Sequence, residues 1–170
     1  MLGCGSEQPA EKGGEVATPT ESIGGEAGEA IKAFLKRDPS LKTFFDDSHG
    51  FAIWPKVGKG GLIVGGGGGS GYVFEQGKQI GTSTMSFISI GAQIGGQSFS
   101  EVIFFKDSAA LVNFTRGNFE FGAQISAIAA DEGVGSTSDY DKGVAVFTLP
   151  LAGLMAEASV SGQKFSYEEK

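Results

Sequence analysis

The chain has 170 residues, 40% of them hydrophobic, which suits one folded domain with a tail and supplies enough apolar surface for a core. A formal net charge of −7 and a sequence pI near 4.7 argue against long-range attraction to nucleic acid or to anionic lipid, and no run of about twenty apolar residues is present to cross a bilayer as a helix. A single cysteine excludes an internal disulfide and any cysteine-built metal site, and the 29 glycines, having no collagen period, belong to strands and turns.

That cysteine is Cys4. The run Met1-Leu2-Gly3-Cys4-Gly5-Ser6 resembles the end of a bacterial lipoprotein signal, in which a small residue precedes a cysteine that becomes lipidated. Leu2 sits one place too close to Cys4 for the usual pattern, and no charged start or apolar run precedes it. Two readings stay open: a lipid-attachment site whose true start lies upstream, which we favour, or a free thiol in a tail. From Gly5 to Gly25 the chain holds Pro9, Pro19 and repeated Glu, Gly, Ala and Thr, with Val16 and Ile23 as the only large aliphatics. Such a composition buries too little apolar surface to fold, so residues 1–25 read as a flexible tether and 26–170 as the folded domain.

At Glu26 the period changes. Ala27, Ala30, Ile31, Phe34 and Leu35 fall at helical spacing and predict a short amphipathic helix ending near Arg37. Asp38-Pro39 supplies a cap and a first-turn proline for a second helix over Pro39 to about Asp46, burying Leu41, Phe44 and Phe45. Lys32, Lys36 and Arg37 on the first helix are candidates for a membrane-facing surface, since each cation near an anionic bilayer contributes about 1 kcal/mol. They alternate with Glu26 and Glu29, as an ordinary solvated face does, and packing of this helix on a sheet is the favoured reading.

The stretch Phe51 to Phe74 sets two β-forming runs on either side of Gly65 to Gly69. A phosphate cradle needs a following helix, and its nucleotide version a Gly-Lys-Ser/Thr ending; here Tyr72-Val73-Phe74 continues as strand, so the block reads as a glycine corner in a sheet. The run from Asp47 to Gly61, DSHGFAIWPKVGKGG, resembles the opening motif of the SYLF domain family, a lipid-binding module of bacteria and eukaryotes. Three later runs, Gly91 to Ser98, Gly122 to Ala127 and Lys142 to Thr148, agree with it, so that the resemblance covers about residues 26–170. It implies a domain that binds lipid without chemistry. In eukaryotic relatives an amphipathic segment beside the domain is associated with phosphoinositide membranes, and some relatives bind actin; no recognisable actin-binding segment is present here, and that activity is not carried over.

Gln79 to Phe105 alternates with period two, and Gly95-Gly96 reads as a hairpin turn. Phe99, Ile103 and Phe105 line one side with Glu101 interrupting them, while the adjacent Phe104 and Phe105 imply burial on both faces. Asp107 to Gly117 reads as a capped helix, Phe119 to Ile128 as a strand, and Ala130 to Lys142 as a polar loop. Three strands then follow, Lys142 to Leu149, Leu154 to Val160 and Gln163 to Glu168, with turns near Pro150 and Ser161-Gly162. Small residues such as Ala156 and Ala158 fit tight curvature. The expected fold is α+β, mainly β: a single antiparallel sheet, strongly curved or barrel-like, with short N-terminal helices and one helix between strands.

Catalysis is not expected. His49 is the only histidine and adjoins Ser48, but neighbours on an extended chain point apart, so they form no nucleophile and base pair. Asp46 and Asp47 are explained by a helix end. Asp131, Glu132, Asp139 and Asp141 do not match an EF-hand and read as a solvated loop, and no cofactor or metal is expected. The expected function is noncovalent lipid or membrane association at the periplasmic side of a bacterial envelope, anchored through Cys4. Phe51, Trp54 and Tyr72 are the candidate apolar contacts and Lys56 and Lys59 the headgroup contacts. For Phe51, Trp54 and the two lysines an ordinary core or solvated role is equally open. The alternative function is a tethered scaffold that binds other proteins and has no lipid site of its own.

Overall fold

The computed structural model describes residues 23–60, 64–90, 97–117, 127–152 and 163–170. The expected tether with Cys4, the Gly95-Gly96 turn, Leu154 to Val160 with Ala156 and Ala158, the turn at Ser161-Gly162, and most of the strand expected from Phe119 lie outside the described residues. Helix α1 (Gly25–Arg37) buries Ala27, Ala30, Ile31 and Phe34, the stripe that the 3.6-residue period selects. A 3-10 turn (Pro39–Leu41) leads into α2 (Lys42–Asp47), which buries Phe44 and Phe45. Strands β1 (Gly50–Gly60), β2 (Val64–Glu75), β3 (Lys78–Ile90) and β4 (Gln97–Phe105) follow. After them come α3 (Ser108–Thr115), β5 (Ala127–Ala129), the single turn α4 (Val134–Thr137), β6 (Val144–Ala152) and β7 (Lys164–Glu169).

The strands form one seven-stranded sheet in the order β5-β6-β4-β1-β2-β3-β7. This corrects the antiparallel, barrel-like expectation. Among the described residues the sheet is open, because β5 and β7 end it on opposite sides, and it is mixed, because Ala127–Ala129 runs parallel to Val146–Thr148. Alternation identifies a strand but not its direction, and a three-residue strand reached through α3 carries no signal of its pairing. The β6 strand also continues through Pro150, where a turn was expected. A register shift at Ser98/Phe99 sets Pro150 opposite Phe99, and the pairing of β6 with β5 ends at Thr148, so the missing N–H of Pro150 is tolerated there.

Glycines 65–69 make no corner. They lie within β2 in unbroken register with Met85 to Ser89 of β3. The irregularity is in β1 instead: Ile53 pairs with Tyr72 but Gly58 with Gly68, which leaves one extra residue in the run that holds Pro55 and Lys56. A β-bulge explains how a proline sits in a central strand. The glycines serve close approach, since a Cβ on Gly67 would lie 2.0 Å from the Gly58 carbonyl oxygen, and one on Gly71 would lie 2.5 Å from the Trp54 ring.

Each face of the sheet has its own core. On one face α1 and α2 cover Phe51, Ile53, Phe74, Val102, Phe104 and Phe147. On the other, α3 contributes Leu111 and Phe114 to a layer with Trp54, Val73, Met85, Ile103 and Phe105. Phe104 and Phe105 are both fully buried, as their adjacency in the sequence implied. Asp107 caps α3 by accepting from the Ala110 N–H at 2.9 Å, and Gly117 follows the helix at φ +76°.

Asp38 fastens the connection after α1. Its buried carboxylate accepts from the Ser40 N–H and hydroxyl, and across the chain from the Gly133 N–H (3.1 Å) and the Gly135 N–H (2.7 Å). Burial alone would raise its pKa, but the Ser40 hydroxyl and then the Gly135, Ser40 and Gly133 amides outweigh it and hold the group below its ordinary value. A depressed carboxyl contributes stability above its unfolded pKa and loses it as pH falls through the folded pKa. Asp38→Ala should therefore cost roughly 3 kcal/mol in chemical denaturation at pH 7, with the difference shrinking in strong acid.

Candidate functional site

The residues expected to meet lipid do not share one surface. Phe51 stacks on Phe74 with ring centroids 5.0 Å apart and is 2% exposed. Trp54, on the opposite face, has no exposed surface and packs against Phe165 at 5.0 Å and Phe114 at 6.1 Å. Neither ring is available to a bilayer while the cores stay closed. Lys56 is exposed on the β1 bulge. Lys59 pairs through its backbone with Gly67 and Gln97, and its side chain lies outside the description. Tyr72 is half-buried, donates to Glu26 Oε2 at 3.2 Å, and borders a hollow of about 400 Å³ with Ile23, Gly25 and Lys78. Burial first, and the Glu26 carboxylate second, push its phenol pKa up.

Helix α1 has no apolar stripe left over, because its hydrophobic side is turned to the sheet. Lys32 pairs with Glu29 at 3.4 Å, and Arg37 pairs with Asp131 at 3.3 Å and reaches the Ala130 carbonyl. Lys36 is exposed. These exposed pairs add little to stability. The His49 ring contacts the Glu75 carboxylate at 3.2 Å rather than Ser48. Among the described residues no group of three or more His, Cys, Asp or Glu side chains is placed to hold a metal ion.

Two features stand out on the α3 face, the first at its β3–β7 side. Phe87, Phe165 and Tyr167 remain half-buried there, packed on the α3-face core at the margin of the sheet. Phe165 faces Met85, Met85 faces Gly69, and Gly69 lies against the Lys56 carbonyl, so Lys56 and this aromatic margin share one level of the sheet.

The second feature is buried. Glu101, the interruption in the apolar row of β4, has no exposed surface and lies level with Trp54 on one side and Thr148 on the other. Its Oε2 accepts from Gln163 Nε2 at 3.0 Å, while Glu101 Oε1 and Gln163 Oε1 find no donor among the described residues. A neutral carboxyl opposite a primary amide closes both ends: the amide donates to one oxygen and the acid O–H donates to the amide oxygen. Burial pushes the Glu101 pKa up to about 8, against a smaller lowering by Gln163, so the neutral acid is the form present at pH 7. The sequence marked Glu101 as out of place. It gave no sign of the partner 62 residues away.

A family model described as Ysc84, Las17-binding protein actin regulator, matches residues 86–170. Beta cell expansion factor A of Aeromonas veronii is 28% identical over 142 residues, covering 82% of this chain and 53% of that protein. The chain thus spans about half the length of that relative. With half of its residues matched by the family model, the chain belongs to the Ysc84 family, the family of SYLF domains.

Proposed function

We propose that this SYLF domain binds lipid membranes without catalysis, through the aromatic margin of β3 and β7 together with Lys56, as part of a bacterial envelope protein anchored through Cys4. The observation that carries the reading is the half-buried set Phe87, Phe165 and Tyr167, which packs on the α3-face core and keeps part of its surface outside it. Rings in that position present an apolar body to acyl chains and, for tyrosine, a polar tip to the headgroup layer. Lys56 at the same level adds a cation for an anionic headgroup. Trp54 supports this surface from within through its contact with Phe165, whereas Phe51 belongs to the core on the other face.

Co-sedimentation of the Cys4→Ser chain with vesicles of neutral and of anionic lipid tests the proposal with the covalent anchor removed. Binding that survives moderate salt, falls on Phe165→Ser, and weakens roughly tenfold on Lys56→Glu with anionic vesicles is the expected result. Absence of binding to every vesicle would leave a scaffold that reaches a membrane only through Cys4.

A further inference from the structure

A hollow of about 450 Å³ lies between α2 and the loop carrying α4. Its apolar part is the pair Phe44 and Tyr140, whose ring centroids are 5.2 Å apart at an interplanar angle of 58°. Asp47 and Asp139 stand at its border, and none of its lining residues is Lys, Arg or His. The remaining polar lining is dominated by serines whose hydroxyl hydrogens are directed away from the space. Ser40 donates to Asp38, Ser136 to the Gly133 carbonyl at 2.6 Å, and Ser138 to the Val134 carbonyl at 2.7 Å. The Ser40 oxygen also accepts from the Ser136 N–H at 2.9 Å, so the lone pairs left to the space come mainly from Ser136 and Ser138, alongside two carboxylates and the half-buried Tyr140 ring. A phosphate or carboxylate ligand would meet acceptors and negative charge. A compact cation with N–H donors would meet acceptors and negative charge of the complementary kind.

We infer that this hollow binds a small organic ammonium group, presented either as a free amine or as the headgroup of an aminophospholipid. The inference goes beyond the membrane reading and does not depend on it, because the hollow is formed by α2 and the α4 loop and shares no residue with the β3–β7 margin. The chemistry is recognition alone. The ring faces and carboxylates hold the cation while the seryl oxygens orient its N–H groups. Burial first, then the Asp47 and Asp139 charges, push the Tyr140 phenol up to about 12, so both carboxylates act on the same part of the hollow.

The test uses the full Cys4→Ser chain, with ethanolamine, choline and inorganic phosphate as soluble probes in titration calorimetry. Vesicles of phosphatidylcholine with and without phosphatidylethanolamine form a second arm. Saturable binding of ethanolamine, reduced at least tenfold by Asp47→Asn and by Asp139→Asn with unchanged thermal unfolding, is expected; choline, which has no N–H to offer the seryl oxygens, should bind more weakly. Asp47→Glu, which keeps the charge, should retain most of the affinity and so guards against a variant that merely misfolds. Free ethanolamine binding without preference for phosphatidylethanolamine vesicles identifies a soluble amine as the source, and a vesicle preference abolished by Asp47→Asn identifies the headgroup. Binding of neither amine in either form, or binding of phosphate instead, overturns the inference. Failure of all vesicle binding with ethanolamine binding intact would sink the membrane proposal and leave this one standing.

Discussion

Glu101→Gln should make the chain more stable at pH 8 and remove most of the fall in stability between about pH 5 and pH 8. Glutamine keeps an acceptor for the Gln163 amide, so that hydrogen bond remains, but it has no proton to lose. The wild-type carboxyl titrates near 8 when folded and at an ordinary value of 4.5 when unfolded. A group with a raised folded pKa favours folding most below its unfolded pKa and loses that contribution as pH rises to the folded value. Within that window the loss is about 1.4 kcal/mol per pH unit, before local opening relieves it. Urea denaturation at several pH values checks this. Parallel pH profiles for the two proteins would show that Glu101 is charged, or not buried, in the native state.

Gly71→Ala should be among the most damaging single-methyl additions in this chain. A Cβ there would lie 2.5 Å from Trp54 Cδ1 and 2.7 Å from the Ile53 carbonyl oxygen, with both an aromatic ring and a paired strand to displace. Overpacking of this kind costs about 1–3 kcal/mol, and the backbone contact puts this site at the upper end. Trp54→Ala alone should cost about 3–5 kcal/mol through the cavity it leaves among Phe114, Phe165 and the sheet. In the double variant the added methyl enters space the indole has vacated, so the two losses should sum to less than additive by about 1 kcal/mol or more. Additive losses would mean that the Ile53 backbone, and not the ring, sets the glycine requirement.

These two residues show where the sequence was legible. The stripe Ala27, Ala30, Ile31 and Phe34 gave α1, Asp38-Pro39 gave the following turn and helix, and Asp107 with Gly117 gave α3, because caps and periodicity are local properties. Alternation gave β3 and β4, and the adjacency of Phe104 and Phe105 gave a sheet covered on both sides. What the sequence withheld was pairing. The parallel partner of β5, the open edges at β5 and β7, and the bulge at Pro55-Lys56 depend on which strand lies beside which. Glycine permits both a bend and a close approach, so the block alone does not distinguish a corner from a tightly packed strand, and only the neighbouring Gly58 and Trp54 decide between them.

The same distinction governs the candidate site. Phe51 and Trp54 have the composition of membrane anchors but stand on alternating positions of a strand buried on both faces, so each ring enters a core. The half-exposed rings, Phe87, Phe165 and Tyr167, come from other strands and meet only through β3–β7 pairing. Asp47 and Asp139 are brought to one hollow by the hydrogen bonds that tie the α4 loop to Asp38 and Ser40. No spacing in the chain announces that.

Trp54 is the only tryptophan in the chain, which makes it a direct reporter of how the domain meets lipid. The decisive measurement is its fluorescence in the Cys4→Ser chain bound to anionic vesicles with brominated acyl chains. Binding through the outer margin predicts that the protein sediments with the vesicles while Trp54 emission stays blue-shifted and unquenched, since the indole remains inside the α3-face core. Strong quenching would show the core opening and the indole entering the bilayer. Failure to bind at all would remove the intrinsic lipid contact on which the account rests.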